Sequence, residues 1–241
     1  MPARILSRIK VLYEDANILA IDKPSGILVH PAAEQARNGV GSDKQKTILD
    51  IFIKKYPKVK IVHRLDRETS GVMLLAKNKK AYEFLKNQFK NREIKKIYHA
   101  IVSGNVKNDR GVINKPIGRS PRDFRRWLAG RGARGELREA ITEYRVLKRI
   151  KDFTYLEVRP KTGRTHQIRV HMKYLNHPVV CDSLYNPDNP CPKGISRMAL
   201  HAKSIEFKNL KGETIKVESH IPKEFNEVVE LRSSRRPTSG E

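Results

Sequence analysis

The stretch Val62-His63-Arg64-Leu65-Asp66-Arg67 sets one carboxylate among three basic side chains. Such a cluster is either a salt-bridged turn with no chemical role or a carboxylate kept ionised beside an anionic substrate. Its surroundings favour chemistry. Apolar runs at 59–62 and 72–76 bracket it, so two strands can present the acid on a short loop. Thr69-Ser70-Gly71 gives that loop a tight, hydroxyl-rich exit. An ionised aspartate with a basic partner suits nucleophilic or general-base work.

A second group lies in Gly163-Arg164-Thr165-His166-Gln167-Ile168-Arg169. Gly and Thr ahead of a helical stretch expose backbone N–H groups, a natural seat for an anion. Arg169, about one turn in, can reach a carboxylate on a neighbouring loop, and a bidentate Arg–Asp pair fixes both orientation and charge. The alternative is a solvated basic helix. In Lys96-Ile97-Tyr98 the tyrosine is either core or a ring that stacks on a base with its phenol free to exchange a proton.

Residues 118–138 carry seven arginines against two acids, with Phe124, Trp127 and three glycines after Gly118. This reads as a long Gly-rich loop, either solvated or functional. Arg122, Arg125, Arg126, Arg131 and Arg134 would grip phosphates while Trp127 stacks on unpaired bases. Metal chemistry is not expected: His166 and His171 are five apart and do not share a helix face, and no acidic cluster suits magnesium. No dinucleotide fingerprint or P-loop is present, so no cofactor is expected either.

The elements that must hold these groups follow from periodicity. Residues 11–31 read as three short strands joined by turns, and 32–46 as a loop. A helix over 47–56 carries a Thr47/Asp50 capping box. Strands are expected at 59–62 and 72–76, a helix at 79–90 with Ala81, Phe84, Leu85 and Gln88 on its core face, and a strand at 95–104. A hairpin follows over 140–160 across Lys151-Asp152, then a helix stopped by Asn176 and Pro178. Strands around 179–182, 198–207 and 214–218 and a helix near 223–231 complete the chain. The class is α+β with a mainly antiparallel sheet. The division is an N-terminal extension (1–10), one catalytic domain (11–231) and a polar tail (232–241).

The chain has 241 residues, enough for a sizeable core, and 50 lysines and arginines against 26 acids give it a net charge of +24. That excess is the footprint of a polyanion, nucleic acid first. No basic amphipathic helix, lipidation motif or apolar run near the ~20 residues of a membrane span is found. The N-terminus lacks a signal-peptide core. Two cysteines, Cys181 and Cys191, without a CxxC, argue against a disulfide scaffold and fit a reducing cytoplasm.

Taken together, the motifs resemble the RluA-like family of pseudouridine synthases. His63 to Gly71 matches the first signature, His-Arg-Leu-Asp-x-x-Thr-Ser-Gly, in full. Lys96-Ile97-Tyr98 matches the tyrosine motif, Gly111 to Pro116 the Gly-x-Ile-x-x-Pro pattern, and Gly163 to His171 the third signature. Asp22-Lys23-Pro24-Ser25-Gly26 and Leu200-His201-Ala202 fit as well.

The resemblance implies a pseudouridine-synthase-like catalytic domain with a central RNA-binding cleft, working as a cofactor-free monomer. Asp66 would be the catalytic aspartate, with Arg169 its partner and Tyr98 stacked on the uracil. Ile168 and Leu200 would line the base pocket. Arg64 would fill the space of an extruded base, and His63, Arg164 and Lys23 would contact substrate. The family's small RNA-binding domain is not expected ahead of residue 11. The implied substrate is large-subunit ribosomal RNA, with a transfer RNA stem-loop second. A non-catalytic RNA-binding or ribosome-assembly factor is the competing reading of the charge.

Overall fold

The computed structural model describes residues 9–30, 46–189 and 191–231. In chain order come β1 (Lys10–Glu14), β2 (Ile18–Lys23), α1 (Ile48–Phe52), β3 (Lys60–Ile61), β4 (Ser70–Ala76), α2 (Lys79–Lys90) and β5 (Lys95–Ser103). There follow β6 (Arg110–Asn114), β7 (Ile117–Arg119), β8 (Trp127–Ala129), β9 (Arg134–Arg138), β10 (Ile141–Ile150) and β11 (Phe153–Pro160). The last elements are α3 (Gln167–Tyr174), β12 (Leu200–Lys208), β13 (Thr214–Glu218) and α4 (Lys223–Leu231). The class is α+β, as expected, with antiparallel pairing throughout the registered strands. The chain forms two compact units, one up to Lys96 plus Ala202–His220, the other Ile97–His201 plus the chain from Ile221.

In the first unit the strand order is β1-β2-β4-β12, with β3 on β4 and β13 on β12. β2 and β4 are almost wholly buried, which is why they read as unbroken apolar runs rather than alternating ones. Helix α2 starts where the Asn78 side chain accepts from the Ala81 N–H at 2.9 Å. It buries Ala81, Leu85 and Gln88, spaced to share one face, on a cluster that includes Ile18, Leu74, Ile205 and Phe207. Gln88 is tolerated there because its amide bonds both the carbonyl and the N–H of Lys208, each at 2.9 Å. The Thr47/Asp50 capping box is present, although α1 is only five residues long.

The expected third strand near 27–30 does not form. Its main-chain oxygens are used elsewhere: Ile27 O accepts from the Lys23 ammonium, and Leu28 O and Val29 O take the Ile48 and Leu49 N–H groups at the start of α1. The expected loop over 32–46 lies outside the described residues except for Lys46. So do the N-terminal extension up to residue 8 and the polar tail.

In the second unit the order is β5-β11-β10-β6. The hairpin turns at Lys151 (φ 31°), as expected, while β6 is an edge strand that sequence reading missed. A core of Ala100, Ile101, Leu156, Val158, Ile168 and Met172, closed by Phe225 and Val228 of α4, holds the unit together. The segment 118–138 is not a loop but a separate three-stranded sheet, order β8-β7-β9. Ile117, Trp127 and Ala129 find apolar cover against Ala140, Val170 and Tyr185, while Gly130 and Gly132 take positive φ at the turn into β9. The glycines there mark turns rather than slack.

Around 179–182 only a single bridge, Val179 to Val102, is made. Cys181 takes positive φ (57°) and swings the chain away before a strand can continue. The structure also brings Cys181 and Cys191 beside each other. Their Cα atoms lie 5.1 Å apart because the chain turns back between them.

Gly71 is the residue on which β4 depends at its entry. It pairs with Lys23, has φ 107°, and a Cβ placed there would strike the main chain of Ala202. Gly71→Ala is expected to lower stability by about 3 kcal/mol or more, read from urea denaturation. An unchanged midpoint would show that the backbones do not approach so closely.

Candidate active site

Asp66 stands half-buried on the loop between β3 and β4, as expected. Leu65 anchors that loop in the core, and the Thr69 N–H closes a turn onto Asp66 O at 3.1 Å. A second segment, 23–27, clamps it from outside. The Lys23 ammonium, on a fully buried side chain, donates to the carbonyls of Pro24 (2.9 Å), Ile27 (2.9 Å) and Arg67 (3.0 Å). Gly26 N–H also reaches Arg67 O (2.9 Å), and Ser25 Oγ donates to Glu68 O (2.7 Å). The residues directly after Asp66 are thus held to another segment by backbone bonds. These contacts give Lys23 a scaffolding place under the loop.

His63 is also tied inward. Its Nε2 accepts from Leu74 N–H at 2.9 Å and its ring lies 4.7 Å from that of Phe89. Burial, reinforced by the nearby Lys96 charge, pulls its pKa down to about 3, so it is neutral, with the proton on Nδ1. Lys96 is itself pulled down to about 8 by burial. Arg64 and Arg67 are exposed.

The remaining candidates belong to the second unit. Tyr98, on β5, packs against the apolar cluster to which Ile168 and Leu200 belong. Arg164 donates from Nε to Glu139 O at 2.9 Å. Arg169, nearly buried on α3, forms a bidentate pair with Asp182: Nε to Oδ2 at 2.7 Å and Nη2 to Oδ1 at 2.8 Å. Asp182 has a fully buried side chain and also accepts from the Leu184 and Tyr185 N–H groups, so its negative charge is well compensated. Sequence reading missed this partner. Its one signal was an acid placed two residues after the apolar Val179-Val180.

The arginine-bearing sheet divides its residues by role. Arg122, Arg125, Arg131 and Arg134 are exposed, and Phe124 presents 72% of its surface. Arg125 and Arg126 pair with Asp123, and the Arg125 contacts hold that carboxyl down at about 2. Trp127, expected to stack on RNA, is half-buried: the Arg119 guanidinium lies 4.6 Å over its ring. Phe124 is the aromatic open for stacking. Among the described residues no group of three or more His, Cys, Asp or Glu is placed to hold a metal, and no helix is long and apolar enough to cross a membrane.

The family model for RNA pseudouridylate synthase matches residues 17–174. The chain is 36% identical over 222 residues to an uncharacterized RNA pseudouridine synthase of Bacillus subtilis, YlyB, covering 91% of this chain and 71% of that one. It is 37% identical over 234 residues to ribosomal large subunit pseudouridine synthase D of Xanthomonas campestris, covering 92% of this chain and 68% of the relative. Against the protein of that name from Neisseria meningitidis serogroup B, 37% identity spans 95% of this chain and 62% of the relative. Among solved structures, Human RNA Pseudouridylate Synthase Domain Containing 4 is similar with a TM-score of 0.74 at 26% identity, over 94% of this chain and 93% of that one.

The Lys23 clamp yields a test. Lys23→Met removes a buried charge, which is favourable, but strips carbonyls of their donor at about 1–3 kcal/mol each, and the second effect should win. We expect a net loss of about 2–4 kcal/mol in urea denaturation. Wild-type stability would contradict the clamp.

Proposed function

The chain belongs to the RNA pseudouridylate synthase family, in its RluA-like branch, and from that premise we propose that it isomerises uridine in large-subunit ribosomal RNA. The observation that carries this reading is the rigid presentation of Asp66, on a chain whose relatives named for the ribosomal large subunit align over nine-tenths of its length. The net charge of +24 and the exposed arginines beside Phe124 support a structured RNA as the partner.

The reaction breaks the bond from ribose C1′ to uracil N1 and forms one from C1′ to C5. The proton lost from C5 is balanced by one gained at N1, so nothing is oxidised or reduced. Asp66 is the carboxylate that acts on the sugar, as nucleophile or as base. Tyr98 stacks on the uracil and assists removal of the C5 proton, while Ile168 and Leu200 form the apolar side of its seat. Arg169 supplies the fixed positive charge. Arg64 fills the place of the extruded base, whose unstacking costs a few kcal/mol. The exposed arginines hold phosphates. The work is done in the cytoplasm, where bacterial ribosomes are assembled.

The test is tritium release from RNA labelled at C5 of uridine, offered as large-subunit ribosomal RNA and as transfer RNA in separate reactions. Release from the ribosomal RNA alone is the expected result. Release from transfer RNA alone would replace the substrate class.

A further inference from the structure

Tyr185 lies in the turn after Asp182, and three of its contacts converge from β8 and from the start of α3 in the second unit. The backbone N–H of Trp127, on edge strand β8, donates to its hydroxyl at 2.9 Å. His166 Nδ1, from the residue capping α3, meets the same hydroxyl at 2.9 Å. The Arg169 guanidinium lies 5.0 Å from the centre of its ring.

A phenol has one proton and two lone pairs, so it can accept from Trp127 and donate to His166 at once. His166 makes no side-chain cap bond to its own helix and sits in a left-handed conformation, with φ 55°. Its side chain is committed to Tyr185 instead. The ring, meanwhile, offers its face to a guanidinium whose Nε–Nη2 edge is already taken by Asp182. Asp182 also caps the turn that carries Tyr185, through the Tyr185 N–H at 3.1 Å. One short turn therefore holds Arg169 by an edge and a face, and holds the arginine-bearing sheet by a main-chain bond.

We propose that Tyr185 is a positioning residue that ties the arginine-bearing sheet β7–β9 to Arg169, so that RNA gripped by the sheet is held in register with the catalytic charge. This rests on the reading of Arg169 given above. The hydroxyl and the ring have separable tasks. The hydroxyl fixes the sheet, which governs RNA affinity. The ring fixes the guanidinium, which governs the rate once RNA is bound.

Single-turnover tritium release from C5-labelled large-subunit ribosomal RNA, measured across RNA concentrations, tests both. Tyr185→Phe keeps the ring and removes the hydroxyl; the half-saturating RNA concentration should rise about fivefold with the maximal rate within about twofold of wild type. Tyr185→Leu removes both, and the maximal rate should fall by a further factor of about ten. A purely structural role would lower both variants only in proportion to their folded fraction, followed by circular dichroism, and that result would overturn the proposal. So would a Tyr185→Phe enzyme indistinguishable from wild type. Arg169→Ala run alongside separates the two levels. If it keeps its maximal rate, the catalytic reading of Arg169 falls and takes the proposal with it. If it is inactive while both Tyr185 variants are normal, only the role of Tyr185 falls.

Discussion

Lys23 carries a buried ammonium that donates to three main-chain carbonyls, one of them on the residue after Asp66. A buried charge is costly unless its donors are satisfied, and here the donors are spent on the chain itself. The carbonyls of 24 and 27 and that of 67 are thereby gathered around one cation, and the Asp66 loop acquires a rigid floor without a helix or strand of its own. The neutral His63 and the buried Leu65 complete the support. For the role proposed for Asp66, a carboxylate acting on a sugar, fixity of the loop is what the geometry supplies. The basic side chains beside it, Arg64 and Arg67, are exposed.

The second unit treats its own critical charge in a parallel way. Arg169 is nearly buried and neutralised along one edge by Asp182, whose remaining acceptor capacity goes to backbone N–H groups. Breaking such a pair would strand a charge in the core, so the guanidinium has little freedom to reorient. The arginines of β7–β9 are managed differently. Most stay exposed, and Asp123 restrains two of them rather than neutralising the surface. Buried, paired charge sits where chemistry is proposed, and exposed charge where a polyanion is proposed to bind.

Much of this was legible from residue order. The helix at 79–90, the strands flanking Asp66 and the hairpin across Lys151-Asp152 followed from periodicity and turn residues, because local preference and burial agree there. The failures share a cause, since each depended on contacts distant in sequence. Residues 27–30 look like a strand, but their carbonyls serve Lys23 and α1. Residues 118–138 look like a loop, but their apolar minority finds cover on Val170 and Tyr185. The Asp182 partner of Arg169, and Tyr185 beside it, lie in a turn with no periodic pattern. The resemblance made Lys23 a substrate contact, and nothing in its local sequence marks it as buried. Only the fold reveals it as fully buried.

The central claim is that the charge of Asp66, held on this fixed loop, performs the chemistry. Asp66→Asn keeps the shape and the turn while removing the charge, so single-turnover isomerisation by this variant is the most direct test. The account predicts a loss on the order of 1,000-fold or more, with RNA affinity and folding close to wild type. Isomerisation within about tenfold of wild type would contradict it, because the shape of the side chain without its charge would then suffice.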